Sequence, residues 1–431
     1  MPPIPTPNPH TARRALRAIL EARSPLAGLA VFARDLGNVY RITLPGFNPV
    51  MVAGAEACRW VLVEAREDLR WNSPGDPIAV LLREGLLVAD GEIHDTMRAR
   101  MNPALHKTAL TSYLETMIHH TDRIAAGWSP ETPADMLTDM RRLAMLILME
   151  TMFQVDATAE LGALWRALLK TLQFISPGLW VISGRLPRPG YAGALRQMDD
   201  YLYRLIALRR LLPEQPNDLL GLLLATPGIT DGHIRDQMLT MIIAGHDTST
   251  GLLSWVLYLL GKHPDIQARA RAEVAAVLGD APPTMESLGR LKFVGHVIDE
   301  TLRLYPPAHL GSRIAARDLE FNGYTIPAGV RVTYSIYVTH RHPDHWENPL
   351  CFDPDRFLPE RSRGRAPYSF LPFGGGARNC IGAAFAQVEA KVILTRLLSR
   401  YRFVLLREAV HEHMAVTIEP RPGVFMRVER L

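Results

Sequence analysis

The chain has 431 residues, 48% hydrophobic and 21% charged, with a formal net charge of +4. That is ordinary globular composition with ample apolar material for a core, and the charge is too mild to argue for nucleic acid. Cys58, Cys351 and Cys380 are odd in number, far apart and without a CxxC pair, which argues against a disulfide framework or a zinc site and for a cytoplasmic chain.

The start, "MPPIPTPNPHTARRALRAIL", is a proline-rich, then basic arm over residues 1–20. It lacks the apolar h-region and small-residue cleavage site of a signal peptide. Residues 21–431 read as one domain. "NVYRITLPGFNPVMVAG" alternates around a Pro-Gly turn and predicts a hairpin over 38–53. From about Glu56 to Leu260 the periodicity is mainly helical, broken at "NSPGDP" and "SPGLW". The most apolar stretch, Met241 to Leu260, is interrupted by His246, Asp247, Thr248, Ser249 and Thr250, a cluster that a membrane span rarely tolerates. No membrane anchor is expected.

"HPDIQARARAEVAAVLG" predicts a helix to Gly279, and "TMESLGRLKFVGHVIDETLRLYPP" a helix that Pro306 and Pro307 stop. Strand patterns follow near 319–338. A long irregular stretch then leads to Cys380, after which helix resumes, and residues 415–429 read as strand-turn-strand. The fold class is mainly α with a minor β component.

Four constellations carry chemistry. In "FLPFGGGARNCIGAAFA" the glycines let the backbone bend and approach a neighbour closely. Cys380 stands at the start of a helix, where free N–H groups and the dipole favour a thiolate. It could be a nucleophile, a redox centre, a metal ligand or a buried structural cysteine. On the central helix Ala244, Asp247, Thr248 and Gly251 fall at i, i+3, i+4 and i+7. Small residues there leave room for a bulky planar group, and an acid–hydroxyl pair can pass protons. The plainer alternative is a back-bonded threonine beside a solvated aspartate. Glu300 and Arg303 can pair at i, i+3, a contact worth only about 0.2–0.5 kcal/mol if exposed. His94 and Arg98, at i, i+4, suit an anionic ligand or simply form a solvated basic face.

Together these segments resemble the cytochrome P-450 family of haem-thiolate monooxygenases. "FGGGARNCIG" matches the family's Phe-Gly-x-Gly-x-Arg-x-Cys-x-Gly pattern at Phe373, Gly374, Gly376, Arg378, Cys380 and Gly382. "AGHDT" matches its Ala-Gly-x-Asp/Glu-Thr segment, "ETLR" its Glu-x-x-Arg, and "FDPDRF" supplies the expected later arginine, Arg356. The order and separations fit from about Leu36 to the end. Departures are His94 where many relatives have tryptophan, His106 where a phenylalanine is usual, and Pro-Asp-Arg-Phe for Pro-Glu-Arg-Phe.

The resemblance implies a long central helix over haem b and a cysteine-ligand loop on the opposite face. Cys380 would be the axial iron ligand. Thr248 and Asp247 would serve proton delivery, with Ala244 and Gly245 over the haem and Phe373 and Gly374 beside the sulfur. His94, Arg98, Arg313 and Arg378 would receive the haem propionates, arginine suiting carboxylates by its fork geometry. Glu300, Arg303 and Arg356 would form a structural charge network. The implied reaction inserts one oxygen atom from O2 into a hydrophobic small molecule, such as a fatty acid, terpene or steroid.

Electrons would come from a ferredoxin or flavodoxin with an NAD(P)H-dependent reductase, docking near Arg378, Lys391, Lys107 and Arg100. The chain would act as a monomer. Pocket candidates are Ile78, Leu86, Phe174, Leu179, Ala244, Ala308, His309, Leu310 and Val416. Rival readings are a peroxide-driven peroxygenase, a non-catalytic haem-binding sensor, and a cysteine-nucleophile hydrolase, for which the sequence places no histidine base near Cys380.

Overall fold

The most apolar stretch of the sequence lies inside one helix, Asp231–Lys262, of 32 residues. The computed structural model describes residues 1–71, 76–176 and 189–431, without the side chain of Lys107. The long helix spans about 48 Å at 1.5 Å per residue. Thr230 caps its start, accepting from the His233 N–H at 3.2 Å, and Lys262 ends it, opposite in charge to the first-turn Asp231. Its apolar residues lie on every side because helices surround it: Met136–Phe153, Tyr191–Arg210, Lys292–Leu304 and Ala383–Leu398 all pack against it.

Of the hydroxyls, Ser249 donates across to Glu389 at 2.5 Å, and the others are satisfied inside the helix. Thr240, Thr248, Thr250 and Ser254 donate to the carbonyls of Asp236, Ala244, His246 and Thr250, each four residues back. A buried helix can therefore carry them without orphaned donors.

A five-stranded sheet runs in the order Val39–Arg41, Val50–Val52, Arg331–Ser335, Leu310–Ala315, Leu69–Arg70. The hairpin expected over 38–53 forms its edge, with Val39 opposite Val52. The final strand-turn-strand is divided between two sheets. Ile418–Arg421 folds back on His411–Met414, whereas Phe425–Arg430 joins Tyr401–Leu405 and Ala134–Asp135. "HEHM" has no apolar alternation, so its strand was not legible.

The boundary expected at residue 20 falls within the helix Pro9–Ala22, which packs on Pro25–Leu36. The Arg41 N–H also donates to the Pro5 carbonyl at 2.8 Å, fastening the proline-rich start to the sheet. These residues are part of the body, not a separate arm.

Glu300 and Arg303 are completely buried and Arg356 nearly so. Arg303 forks onto the Glu300 carboxylate at 2.7 and 2.8 Å, and Arg356 Nε donates to it at 3.2 Å. The spare guanidinium N–H groups gather the irregular stretch. Arg303 holds the carbonyls of His340, Pro349 and Cys351, and Arg356 those of Glu347 and Asn348. His340 passes the constraint onward, for its Nε2 accepts from the Leu371 N–H at 2.9 Å. Burial with Arg303 and Arg341 nearby pushes its pKa down to about 3, so the ring stays neutral and can accept.

Removing one partner of this buried set leaves an uncompensated charge, costing about 3–5 kcal/mol. Arg303→Ala is expected to lower the unfolding free energy by that much in urea titration. Arg17→Ala, whose pair with Glu21 is exposed, should leave the curve in place.

Candidate functional site

The glycines before Cys380 have separate reasons. Gly374 and Gly376 sit at φ 71° and 65°, in the left-handed region. A Cβ on Gly376 would also overlap the Leu62 carbonyl oxygen, and one on Gly375 would lie 2.6 Å from the Tyr368 ring. Leu62 belongs to a π-helical turn, Trp60–Glu64, packed against the loop. Cys380 N–H donates to the Phe373 carbonyl at 2.8 Å, closing the loop around the sulfur.

Cys380 is exposed, yet the protein around it partly desolvates the sulfur. That desolvation pushes the thiol pKa up, opposed by the Gly382 N–H and the charge of Arg98. The expectation from helix position was a thiolate. Desolvation outweighs the helix end in the bare chain, and a coordinated cation is what would reverse it.

Beside the loop lies a cavity of about 230 Å³ lined by Trp71, Asp90, His94, Arg313 and Arg378, among others. Arg313 stacks on the Trp71 ring at 3.9 Å and donates to the Ser312 carbonyl at 2.7 Å. Arg378 Nη2 donates to Asp90 at 2.8 Å, while its Nη1 and Trp71 Nε1 are buried without a partner among the described residues. Burial depresses the His94 pKa, against its 2.8 Å contact with Asp95.

Three of the four expected propionate residues, His94, Arg313 and Arg378, thus converge. Arg98 does not. Its guanidinium is committed to Asn379, at 2.8 Å to the carbonyl and 2.7 Å to the side chain, where it braces the cysteine loop. Trp71 and Asp90 went unforeseen. The only signal for Trp71 is its place beside the "NSPGDP" break.

On the central helix Ala244 is exposed, and Gly245 and Thr248 are half-buried, within an otherwise buried run. Thr248 Oγ1 donates to the Ala244 carbonyl at 2.6 Å. Gly245 faces elsewhere: a Cβ there would lie 2.7 Å from Leu148, so its smallness serves helix packing. Asp247 is buried and turned toward the C-terminal hairpin, accepting from Thr417 at 2.7 Å. Burial, then Glu419, pushes its pKa up to about 6, against the Thr417 hydrogen bond and Arg141.

A second cavity, about 580 Å³, opens where Asp247 meets that hairpin and the helix Leu161–Ile175. Phe174 and Val416 line it. Leu86 is core, its N–H bonded to Gln237 at 2.8 Å, and buried His309 bonds the Pro307 carbonyl at 3.2 Å. Ile78 and Leu310 are half-buried and Ala308 exposed, and neither cavity includes them. Leu179 lies outside the described residues. Of the expected basic docking surface, Arg378 is inside the first cavity and Lys391 half-buried, its ammonium 3.4 Å from the Leu288 carbonyl. Arg100 is exposed, and the Lys107 side chain is outside the described set.

Two unpartnered buried donors with an arginine and a neutral imidazole fit a dicarboxylate, and a cysteine stands nearby in a rigid loop. A flat, dianionic prosthetic group with a sulfur ligand suits such surroundings, which is the setting of a haem-thiolate protein. The sequence model of the cytochrome P450 family matches residues 5–426, and this chain belongs to that family.

Pentalenene oxygenase of Streptomyces avermitilis is 33% identical over 388 residues, with 86% of either chain covered. Cyclooctatin synthase of Streptomyces melanosporofaciens is 33% identical over 406 residues, covering 89% of this chain and 87% of that one. Retinoic acid-bound cyanobacterial CYP120A1 superposes with a TM-score of 0.89 at 26% identity over 100% of both chains. The protein is an oxygen-incorporating oxidoreductase of a haem-binding family that uses O2 and redox partners. Among the described residues no helix is long and apolar enough to cross a membrane.

The raised Asp247 pKa fixes a sign. Between pH about 4 and about 6 the unfolded carboxyl ionises while the folded one keeps its proton, so stability falls as pH rises. The loss approaches ~3 kcal/mol, from two pKa units. Asp247→Asn stays neutral and should gain on the parent by that order between pH 4 and 7 in urea unfolding. A constant difference would mean that Asp247 is not held protonated by burial.

Proposed function

We propose that this chain is a monooxygenase inserting one oxygen atom from O2 into a hydrophobic small molecule of terpenoid type, as a monomer carrying haem b. Electrons would come from a separate ferredoxin or flavodoxin and its NAD(P)H-dependent reductase, with exposed Arg100 on the docking side and the cytoplasm as the compartment. The observation that carries the reading is the pair of unpartnered buried donors, Trp71 Nε1 and Arg378 Nη1, in one cavity with Arg313 and His94.

When bound, haem supplies the redox-active iron at which dioxygen is activated. Cys380 would hold it as a thiolate, which the Gly382 N–H and Arg98 favour. Trp71, His94, Arg313 and Arg378 would hold its carboxylates, and Arg98 would act indirectly by fixing Asn379. Phe373 would pack beside the sulfur, the bend at Gly374 would admit the group, and exposed Ala244 would leave it room on the central helix. Thr248 Oγ1 spends its proton on the Ala244 carbonyl, so its lone pairs hold a donor on the exposed face. Asp247, with a pKa of about 6, keeps a proton within exchange of physiological pH at the hairpin side of the same helix turn. The terpene class rests on the relatives named for pentalenene and cyclooctatin.

The reduced, carbon monoxide-treated holoprotein is expected to show the long-wavelength Soret band of thiolate ligation, and Cys380→Ser to lose it. A band that survives the substitution removes Cys380 as ligand. For Thr248→Ala, haem content should hold while product formation slows and more of the consumed NAD(P)H ends as hydrogen peroxide. Unchanged coupling takes Thr248 out of proton handling.

A further inference from the structure

The cavity of about 580 Å³ beside Asp247 is unlike a purely apolar pocket. Leu169, Leu172, Phe174, Met414 and Val416 give it greasy walls, yet Arg141, Lys170 and Arg421 also line it. Its two acids are already engaged. Glu419 takes a hydrogen bond from Arg141 and another from Arg421, the latter at 2.9 Å, and Asp247 takes one from Thr417 at 2.7 Å. The donors are not used up. Arg141 is 7% exposed, and its buried Nε has no partner among the described residues. The Lys170 ammonium makes no ion pair or hydrogen bond among the described residues.

Two elements place these cations. Lys170 lies near the end of Leu161–Ile175, with its stem laid against Gly190, where a Cβ would come 3.1 Å from Lys170 Cε. Arg421 ends the hairpin strand Ile418–Arg421. Phe174 stacks on Tyr191 with ring centroids 3.7 Å apart, a flat apolar wall next to the cations. Burying an unpaired guanidinium N–H costs free energy that only an acceptor recovers. An ionised acceptor recovers more than a neutral one, since charge-assisted hydrogen bonds are roughly twice as strong.

We infer that this cavity is an anion-receiving subsite, and that the substrate is an apolar skeleton bearing a carboxylate which Lys170 and Arg421 receive at the hairpin. The inference rests on the monooxygenase reading and narrows its substrate from a hydrophobic small molecule to an amphipathic acid. Lys170 and Arg421 are then specificity-determining residues, with Arg141 bracing the Glu419 that orients Arg421.

The test is calorimetric binding to the haem-loaded full chain with matched acid and alcohol pairs: farnesoic acid and farnesol, palmitic acid and hexadecanol, retinoic acid and retinol. For each skeleton that binds, the acid should bind at least about tenfold tighter than its alcohol, a difference of about 1.4 kcal/mol. Lys170→Gln should erase that preference by weakening the acid alone, and Arg421→Gln should reduce it. Lys170 is exposed, so its variant is expected to fold, and unchanged alcohol affinity verifies that it has.

Equal binding of acid and alcohol, or equal loss of both in Lys170→Gln, overturns the anion subsite and leaves the monooxygenase reading standing. If none of the six ligands binds while the carbon monoxide spectrum is normal, the apolar-substrate reading fails and takes the subsite with it.

Discussion

A single buried carboxylate, that of Glu300, organises the half of the molecule that carries the sulfur. Taken alone it would be intolerable in a dry interior. Two arginines and the Asp353 N–H at 3.0 Å make it stable there. Once placed, the arginines have N–H groups left over, and these collect five carbonyls from a stretch with almost no regular structure. The result is a loop region as well determined as a helix. Through neutral His340 the constraint reaches Leu371, whose own carbonyl accepts from the Gly374 N–H at 3.0 Å. Fold and chemistry meet in that chain of contacts, since Gly374 begins the bend that presents Cys380.

The central helix solves a different problem. It must be apolar enough to pass through the body and polar enough to work at one turn. Back-bonded hydroxyls reconcile the two, because each satisfies itself locally and leaves its methyl or lone pairs for the surroundings. Asp247 has no such local solution. Its partners come from a hairpin 170 residues away, so the helix and the C-terminal strands share responsibility for its protonation. Glu389, on the helix Ala383–Leu398, is a second buried acid of this kind, pushed up to about 7 by burial and accepting from Ser249 of the central helix at 2.5 Å.

What was legible in the sequence was short-range or motif-borne. The cysteine loop, the Glu300–Arg303 spacing and the apolar run of the central helix each declare themselves within ten to twenty residues. Long-range pairings did not. Nothing near Arg98 says that it will brace Asn379, and nothing near Asp247 points to Thr417, Glu419 or Arg141. Gly245, next to Ala244 in the motif, packs on Leu148, because adjacent helix residues differ by about 100° in direction. Trp71 was hidden because a tryptophan beside a loop has no periodic signature. The helix-end argument for Cys380 was sound in direction, but burial is the larger effect for a bare thiol.

The meeting of Gly376 with the Leu62 carbonyl has a consequence for recombining this chain with its relatives. The loop that presents the sulfur is moulded against the π-helical turn Trp60–Glu64 more than 300 residues earlier, with no side chain between the two backbones. The two segments therefore behave as one inherited part. A chimera that takes its cysteine loop from one parent and its first hundred residues from another joins surfaces shaped separately. An insertion of one residue in that early turn reaches the cysteine loop as surely as a change beside Cys380.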